Sequence, residues 1–327
     1  MRKPLAAAFL ALAIAGAGAA PATAADAAPT GVGKAADAGP ATSAVSGVVA
    51  SVEQTLAGLN PSVKAVNFAG TVALSNCSGS VVRMPDSASD DPALVMTNGH
   101  CLESGFPGPG EVLVDKASSR TFSLLNASGS RVATLRAAKL AYGTMTDTDV
   151  ALYQLTTTYA QIKSAYNINP LTLSDSHPVA GTAISIPSGY WKRIYSCSID
   201  GFVPTLKEGD WSWKDSVRYT SACTTIGGTS GSPVVDQATN QVVAVNNTGN
   251  ESGERCTVNN PCEVDANGTV TVRKGINYAQ QTYRIPACFG IDNKLDLYAS
   301  ALGGHAWERA GQDWYDVLTG GELKEQA

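Results

Sequence analysis

The fold of this chain is constrained most by a long series of short apolar or alternating runs, each cut off by Gly, Asp, Ser or Pro. Thr71–Leu74, Ser80–Met84, Ala93–Thr97, Glu111–Val114, Thr121–Leu125, Val132–Leu140 and Val150–Thr156 form a first set. Thr182–Ile186, Arg193–Phe202, Ser216–Ser221, Ser232–Val235, Val242–Asn246 and Thr269–Arg273 form a second. Period-two runs bounded by turn residues predict β-strands, and many short strands in succession predict an all-β barrel or sandwich. The stretch Thr157–Pro170 lies between the two sets and reads as a bridge joining two halves.

The flanking segments read differently. Arg2 and Lys3 precede an apolar core, Leu5 to Ala15, and the small-x-small site Ala22-Thr23-Ala24 follows. This is the layout of a secretory signal over residues 1–24, with Ala17-Gly18-Ala19 as an alternative cleavage site. Residues 25–65 read as a leader or pro-segment: 25–40 are rich in Ala, Gly and Pro. Within 42–59, Val45, Val48, Val49, Val52, Leu56 and Leu59 predict a short amphipathic helix. Residues 291–327 read as an appended polar tail with a helix near Trp307–Leu318. No later run of uncharged apolar residues is long enough to cross a bilayer, so a soluble, secreted, extracellular protein is expected.

Across 327 residues the hydrophobic fraction is 44% and the formal charge only −5. That content supports a globular core. The mild acidity argues against a nucleic-acid partner, which calls for a clustered basic patch. Seven cysteines in an exported chain predict disulfides. With three histidines and no Cys-x-x-Cys, the spacings do not form a structural zinc site, and no metal or cofactor is expected.

The chemistry concentrates in Ile226-Gly227-Gly228-Thr229-Ser230-Gly231-Ser232-Pro233. Glycines around a serine present its hydroxyl on a tight turn and leave N–H groups uncovered. Those of Gly228 and Ser230 are candidates to hold a developing oxyanion. A serine hydroxyl needs a base, and the base needs an orienting partner. His305 lies in the polar tail and His177 in a loop before Pro178. His100 is different: the buried run Ala93–Thr97 delivers it into a turn beside Cys101. In Asp147-Thr148-Asp149-Val150, either carboxylate could orient an imidazole, and Asp149 opens the apolar run directly.

Taken together, Thr97-Asn98-Gly99-His100-Cys101, Asp149-Val150-Ala151-Leu152 and Gly228-Thr229-Ser230-Gly231-Ser232-Pro233 resemble three sequence blocks of the chymotrypsin/trypsin-like serine proteases. Cys77-Ser78-Gly79-Ser80 is similar to a fourth, and the His, Asp, Ser order is the family's own. The resemblance spans about residues 66–290. It implies two six-stranded antiparallel β-barrels with the catalytic site between them and the barrel boundary near 157–170. It also implies Ser230 as nucleophile, His100 as general acid/base, Asp149 as orienting carboxylate, Gly228 and Ser230 as the oxyanion hole, and a Cys77–Cys101 disulfide. The reaction would be peptide-bond hydrolysis through an acyl-enzyme on protein or peptide substrates, by a monomer free of membrane and nucleic acid. A catalytically silent binding protein on the same fold is the alternative. An esterase of another fold would need a strand–helix elbow that the sequence around Ser230 does not offer.

The departures are informative. Thr229 replaces the Asp that precedes the nucleophile in trypsins, and no Arg-Ile-Val-Gly-Gly activation sequence is present. The form Gly-x-Ser-Gly-Ser-Pro is closer to bacterial secreted members, glutamyl endopeptidases included. The position of the trypsin specificity Asp falls on Thr224; Thr225 matches a threonine of glutamyl endopeptidases, and their pocket histidine falls near Asn246. Asn246, Asn247 and Gly249 are expected on one pocket wall and Gly275 on another, giving a polar, uncharged pocket. Cys197–Cys223 and Cys256–Cys262 are the preferred remaining disulfides, with Cys288 left over, although sequence alone does not fix the pairing.

Overall fold

The computed structural model describes residues 65–296. The signal, leader and amphipathic-helix expectations, His305 and the helix near Trp307–Leu318 lie outside them. Strands β1 (Thr71–Ala73), β2 (Ser78–Arg83), β3 (Pro92–Thr97), β4 (Val112–Ala117), β5 (Thr121–Leu125), β6 (Arg131–Thr144) and β7 (Val150–Thr158) form the first half. Helix α1 (Tyr159–Tyr166) and the short β8 (Leu171–Thr172) make the bridge. The second half holds β9 (Ala183–Ser188), β10 (Arg193–Glu208), β11 (Trp211–Tyr219), β12 (Pro233–Asp236) and β13 (Val242–Gly249). It ends with β14 (Cys262–Val264), β15 (Val270–Val272) and β16 (Asn277–Gln281).

The first sheet runs β1-β5-β6-β7-β3-β2 and closes through the β1–β2 pairing; β4 adds to the far end of β6. The second runs β11-β16-β13-β12-β9-β10 and closes through β10–β11, with the β14–β15 hairpin hung on β10. All these pairings are antiparallel; the parallel one joins β2 to β8. Closure removes the open sheet edges that would otherwise template aggregation. The expected two-barrel architecture is the observed one.

Several elements differ from expectation, among them the unforeseen strands β8 and β14. Strand β10 runs through Pro204 to Glu208, although a proline normally ends a strand. Pro204 falls between the paired residues Val203 and Thr205, so the ladder needs no N–H from it. Strand β16 is polar enough (Asn277-Tyr278-Ala279-Gln280-Gln281) to escape the apolar pattern, yet it closes the second barrel between β11 and β13. The bridge contains α1, whose first turn is fixed by a reciprocal capping box between Thr158 and Gln161.

Burial follows the strand period. In β3, Ala93 and Val95 face the interior of the first barrel with Phe122, Leu124 and Tyr153. Leu94 and Met96 face the other way, into a shared core with Leu152, Leu173, Val235, Val242 and Val245. This second face is the seam between the barrels, which is why Ala93–Met96 is apolar throughout. A third core, around Ile184, Ile186, Val217 and Tyr219, fills the second barrel. Packing continues past the expected domain end at 290. Asn293 is buried, accepts from the Ser87 hydroxyl (2.7 Å) and donates to the Pro92 carbonyl (2.9 Å) and the Tyr159 hydroxyl (3.0 Å).

Three disulfides are present: Cys77–Cys101, Cys197–Cys223 and Cys256–Cys262, with Cys288 free and buried. The second ties β10 to the segment leading into the serine turn.

Met96→Ala truncates a fully buried side chain on the seam. We expect a loss of about 2–5 kcal/mol of unfolding free energy in urea titration.

Candidate active site

The antiparallel pairing of β3 with β7 sets Thr97 opposite Ala151. The turn after β3 and the residue before β7 therefore meet. A single 3-10 turn, Gly99–Cys101, carries His100 there. The Asn98 amide donates to the Asp149 carbonyl (2.8 Å), and the Cys77–Cys101 disulfide holds the far side of the turn. Arg120, almost fully buried, donates to the Cys101 carbonyl (2.7 Å), the Asn76 side chain (2.8 Å) and the Tyr153 hydroxyl (3.0 Å).

Asp149 is 0% exposed and both its carboxylate oxygens are occupied. Oδ1 accepts from the His100 backbone N–H (3.0 Å), and Oδ2 lies 2.7 Å from His100 Nδ1. An ionised carboxylate only accepts, so Nδ1 carries the proton and Nε2 is left as the acceptor of the neutral ring. The neighbouring Asp147 is turned elsewhere: its carboxylate pairs with Lys214 (2.9 Å) and its carbonyl accepts from the Lys214 N–H (2.8 Å). Those bonds, with Trp213 Nε1 donating to the Met145 carbonyl (3.0 Å), fasten the segment before Asp149 to the second barrel.

Burial pulls the His100 pKa down, but the Asp149 charge, the Asp149 hydrogen bond and the Glu208 charge outweigh it, leaving the value above 6.5. Glu208, at the end of β10, is buried and lines the same cleft. Burial raises its carboxyl, against the nearby Thr248 hydroxyl, a hydrogen bond from the Asn259 backbone N–H (2.8 Å) and the attraction of His100.

The serine turn approaches from the second barrel. Gly231 has φ +82°, and a Cβ there would strike the Ser78 carbonyl and the Thr97 hydroxyl. Only glycine fits this contact between turn and first barrel. The Ser230 carbonyl accepts from the Ser78 N–H (2.8 Å), and the Gly231 N–H donates to Asn246 (2.9 Å). The Ser230 hydroxyl donates to the Asn247 carbonyl (3.1 Å). Among the described residues the N–H groups of Gly228 and Ser230 have no acceptor.

One cleft brings together His100, Asp149 and Ser230 with Thr225, Asn246, Asn247 and Gly249. Thr224 is exposed and does not line it, and neither does Gly275. Asn277 stands where Gly275 was expected. It accepts from the Thr225 hydroxyl (2.9 Å), donates to the Cys223 carbonyl (3.0 Å) and faces Gly249. Asn246 is buried and accepts from the Tyr219 hydroxyl (3.2 Å), and both amide atoms of Asn247 are buried without partners among the described residues. His177 is outside the cleft, beside Asp215 (3.1 Å) and packed on Phe202 and Tyr283.

Sequence reading missed the opposite wall. Phe106 packs edge-on against both His100 and Trp211, at 5.8 Å in each case. Trp211 pairs across the hairpin with Glu208. The available signal was an aromatic among turn residues, Gly105-Phe106-Pro107-Gly108, which has no place in a strand pattern.

The family model described as the trypsin-like peptidase domain matches residues 77–245. No curated protein matches the chain significantly. Solved structures similar to it include the Rv3671c protease of M. tuberculosis in its active form, at 15% identity and TM-score 0.42 over 68% of this chain and 80% of that one. The MamO protease domain of Magnetospirillum magneticum, apo form, is similar at 13% identity and TM-score 0.42, over 67% and 94%. A Nocardiopsis protease follows at 14% identity and TM-score 0.39, over 66% and 93%.

An NMR titration of the His100 ring is expected to give a pKa above 6.5. Asp149→Asn should lower it, and Glu208→Gln should lower it by less. Because the folded value is raised, the pair's contribution to stability is full below the unfolded imidazole value of about 6.5. It is lost as pH rises through the folded value.

Proposed function

Because the chain belongs to the trypsin-like peptidase domain family, we propose that it is a secreted serine endopeptidase working through an acyl-enzyme. The observation that carries this reading is the 2.7 Å contact of His100 Nδ1 with the buried Asp149, in one cleft with Ser230.

Asp149 holds the imidazole in the tautomer whose Nε2 accepts. Rotation about the Ser230 Cα–Cβ bond releases its hydroxyl from the Asn247 carbonyl and turns it to Nε2. As Oγ attacks the scissile carbonyl carbon, its proton passes to Nε2 and the carbonyl oxygen gains the charge. The Gly228 and Ser230 N–H groups, without acceptors among the described residues, receive that oxyanion. Collapse breaks the C–N bond, and the imidazolium returns its proton to the leaving amine. Water then repeats the sequence on the ester and frees Ser230.

For specificity, the Thr225–Asn277 side of the cleft supports an uncharged residue at the cleavage point, since its polar atoms already bond one another. The acidic residues Glu208 and Glu251 belong to the rest of the lining. Export rests on the signal-like residues 1–24 and agrees with the three disulfides. Residues 25–65 are proposed to be removed or displaced in the active form. N-terminal sequencing of the secreted protein separates the two; an active form beginning at Ala25 would refute removal.

A fluorophosphonate is expected to label the secreted protein, with labelling absent in Ser230→Ala. His100→Ala and Ser230→Ala should each cut turnover by about four to six powers of ten. Absence of labelling in the properly processed wild type would overturn the peptidase reading. Cleavage of a proteome-derived peptide pool reads the specificity, and a sharp preference for Arg or Lys would refute the uncharged pocket. The acid limb of kcat/KM against pH should fall above pH 6.5, because His100 must be neutral to act as base and its pKa is raised.

A further inference from the structure

The peptide unit between Gly227 and Gly228 has glycine on both sides. No Cβ resists its rotation, so the same freedom that shapes the turn lets this unit flip. A trans peptide sets its C=O and N–H on opposite sides. Whatever holds the Gly227 carbonyl therefore decides where the Gly228 N–H points. The indole of Trp191 holds it: Nε1 donates to the Gly227 carbonyl at 2.7 Å. Its ring and that of Tyr190 also lie over Gly228, with Trp191 Nε1 3.1 Å and Tyr190 Cδ1 3.0 Å from where a Cβ would stand. Gly228 has φ +87°.

Trp191 is itself held in place. It sits in the turn joining β9 to β10, and this turn is pinned to the first barrel. Gly189 lies so close to β1 that a Cβ would strike the Val72 carbonyl. A one-way chain of hydrogen bonds follows. The Trp191 N–H donates to the Ser188 hydroxyl (3.3 Å), which is 3.0 Å from the Ser78 hydroxyl, which donates to the Gly228 carbonyl (3.1 Å). The Tyr190 N–H fills the remaining lone pair of Ser78 (3.1 Å). Two successive carbonyls of the serine turn, those of Gly227 and Gly228, are thus held from outside, and the intervening N–H is left without an acceptor among the described residues.

We infer that Trp191 is a positioning residue that locks the Gly227–Gly228 peptide with its N–H turned to receive the oxyanion. The inference rests on the peptidase reading above. Without the lock, the flipped peptide turns a carbonyl oxygen toward the site where the oxyanion forms, and one donor is lost.

The test compares the processed, secreted wild type with Trp191→Phe and with the same protein carrying benzothienylalanine at 191, which keeps the bicyclic shape without the N–H. The substrate is a fluorogenic version of the best peptide cleaved from the pool, and the inhibitor is its peptide aldehyde, whose hemiacetal with serine sets its former carbonyl oxygen where the oxyanion forms. Both variants are expected to lose about three- to tenfold in kcat with KM within a factor of two, and to bind the aldehyde weaker by the same factor. An unchanged kcat, a change in KM alone, or a loss of kcat with unaltered aldehyde affinity would each overturn the lock. Wild-type protein lacking both turnover and fluorophosphonate labelling would sink the peptidase reading and the lock together. An active wild type matched by both variants sinks only the lock.

Discussion

The structure depends on one point of contact between the barrels, at Ser78. Its N–H donates to the Ser230 carbonyl, its carbonyl accepts from Thr97, and its hydroxyl joins Ser188, Tyr190 and Gly228. Every polar atom of one small, fully buried residue in the first barrel is used, and most of the partners belong to the second. Buried polar groups are costly unless satisfied, so this network tolerates few alternative placements. The apolar seam of Leu94, Met96, Leu152, Val235 and Val242 supplies the attraction between barrels, and the Ser78 bonds set the register.

The histidine turn relies on a second buried arrangement. The Asp149 carboxylate is removed from water but accepts from the His100 backbone and ring. Arg120 lies behind the same turn, buried yet bonded at Cys101, Asn76 and Tyr153. Such groups persist inside a protein only when partnered, and these partners come from three separate segments: the Gly99–Cys101 turn, the loop after β1 and β7. Charge and packing thus impose the same geometry on His100.

Legibility in the sequence tracked the range of the interactions. Strands such as Thr121–Leu125 were readable because alternation is a local property of the backbone. His100, Asp149 and Ser230 stood out because each sits in a short block of glycines, cysteine or apolar residues that shapes its own turn. Asn277, Glu208 and Trp191 did not. Asn277 lies in a strand too polar to be seen as one, and matters only because β16 closes beside β13. Glu208 lies beyond a proline, and Trp191 in a turn whose sequence says nothing about the glycines it meets. Gly275 was expected on the pocket wall and Asn277 stands there, two residues on in the closing strand.

The sequence by itself determined the β periodicity, the division into two halves and the chemical identities at the three turns, because these depend on neighbouring residues. The tertiary structure decided which carboxylate meets His100, which side chains face Ser230, and which way the Gly227–Gly228 peptide points. Those outcomes depend on hydrogen bonds between residues far apart in the chain, such as Ser78 with Gly228. A glycine-rich turn has no local preference strong enough to fix its own orientation.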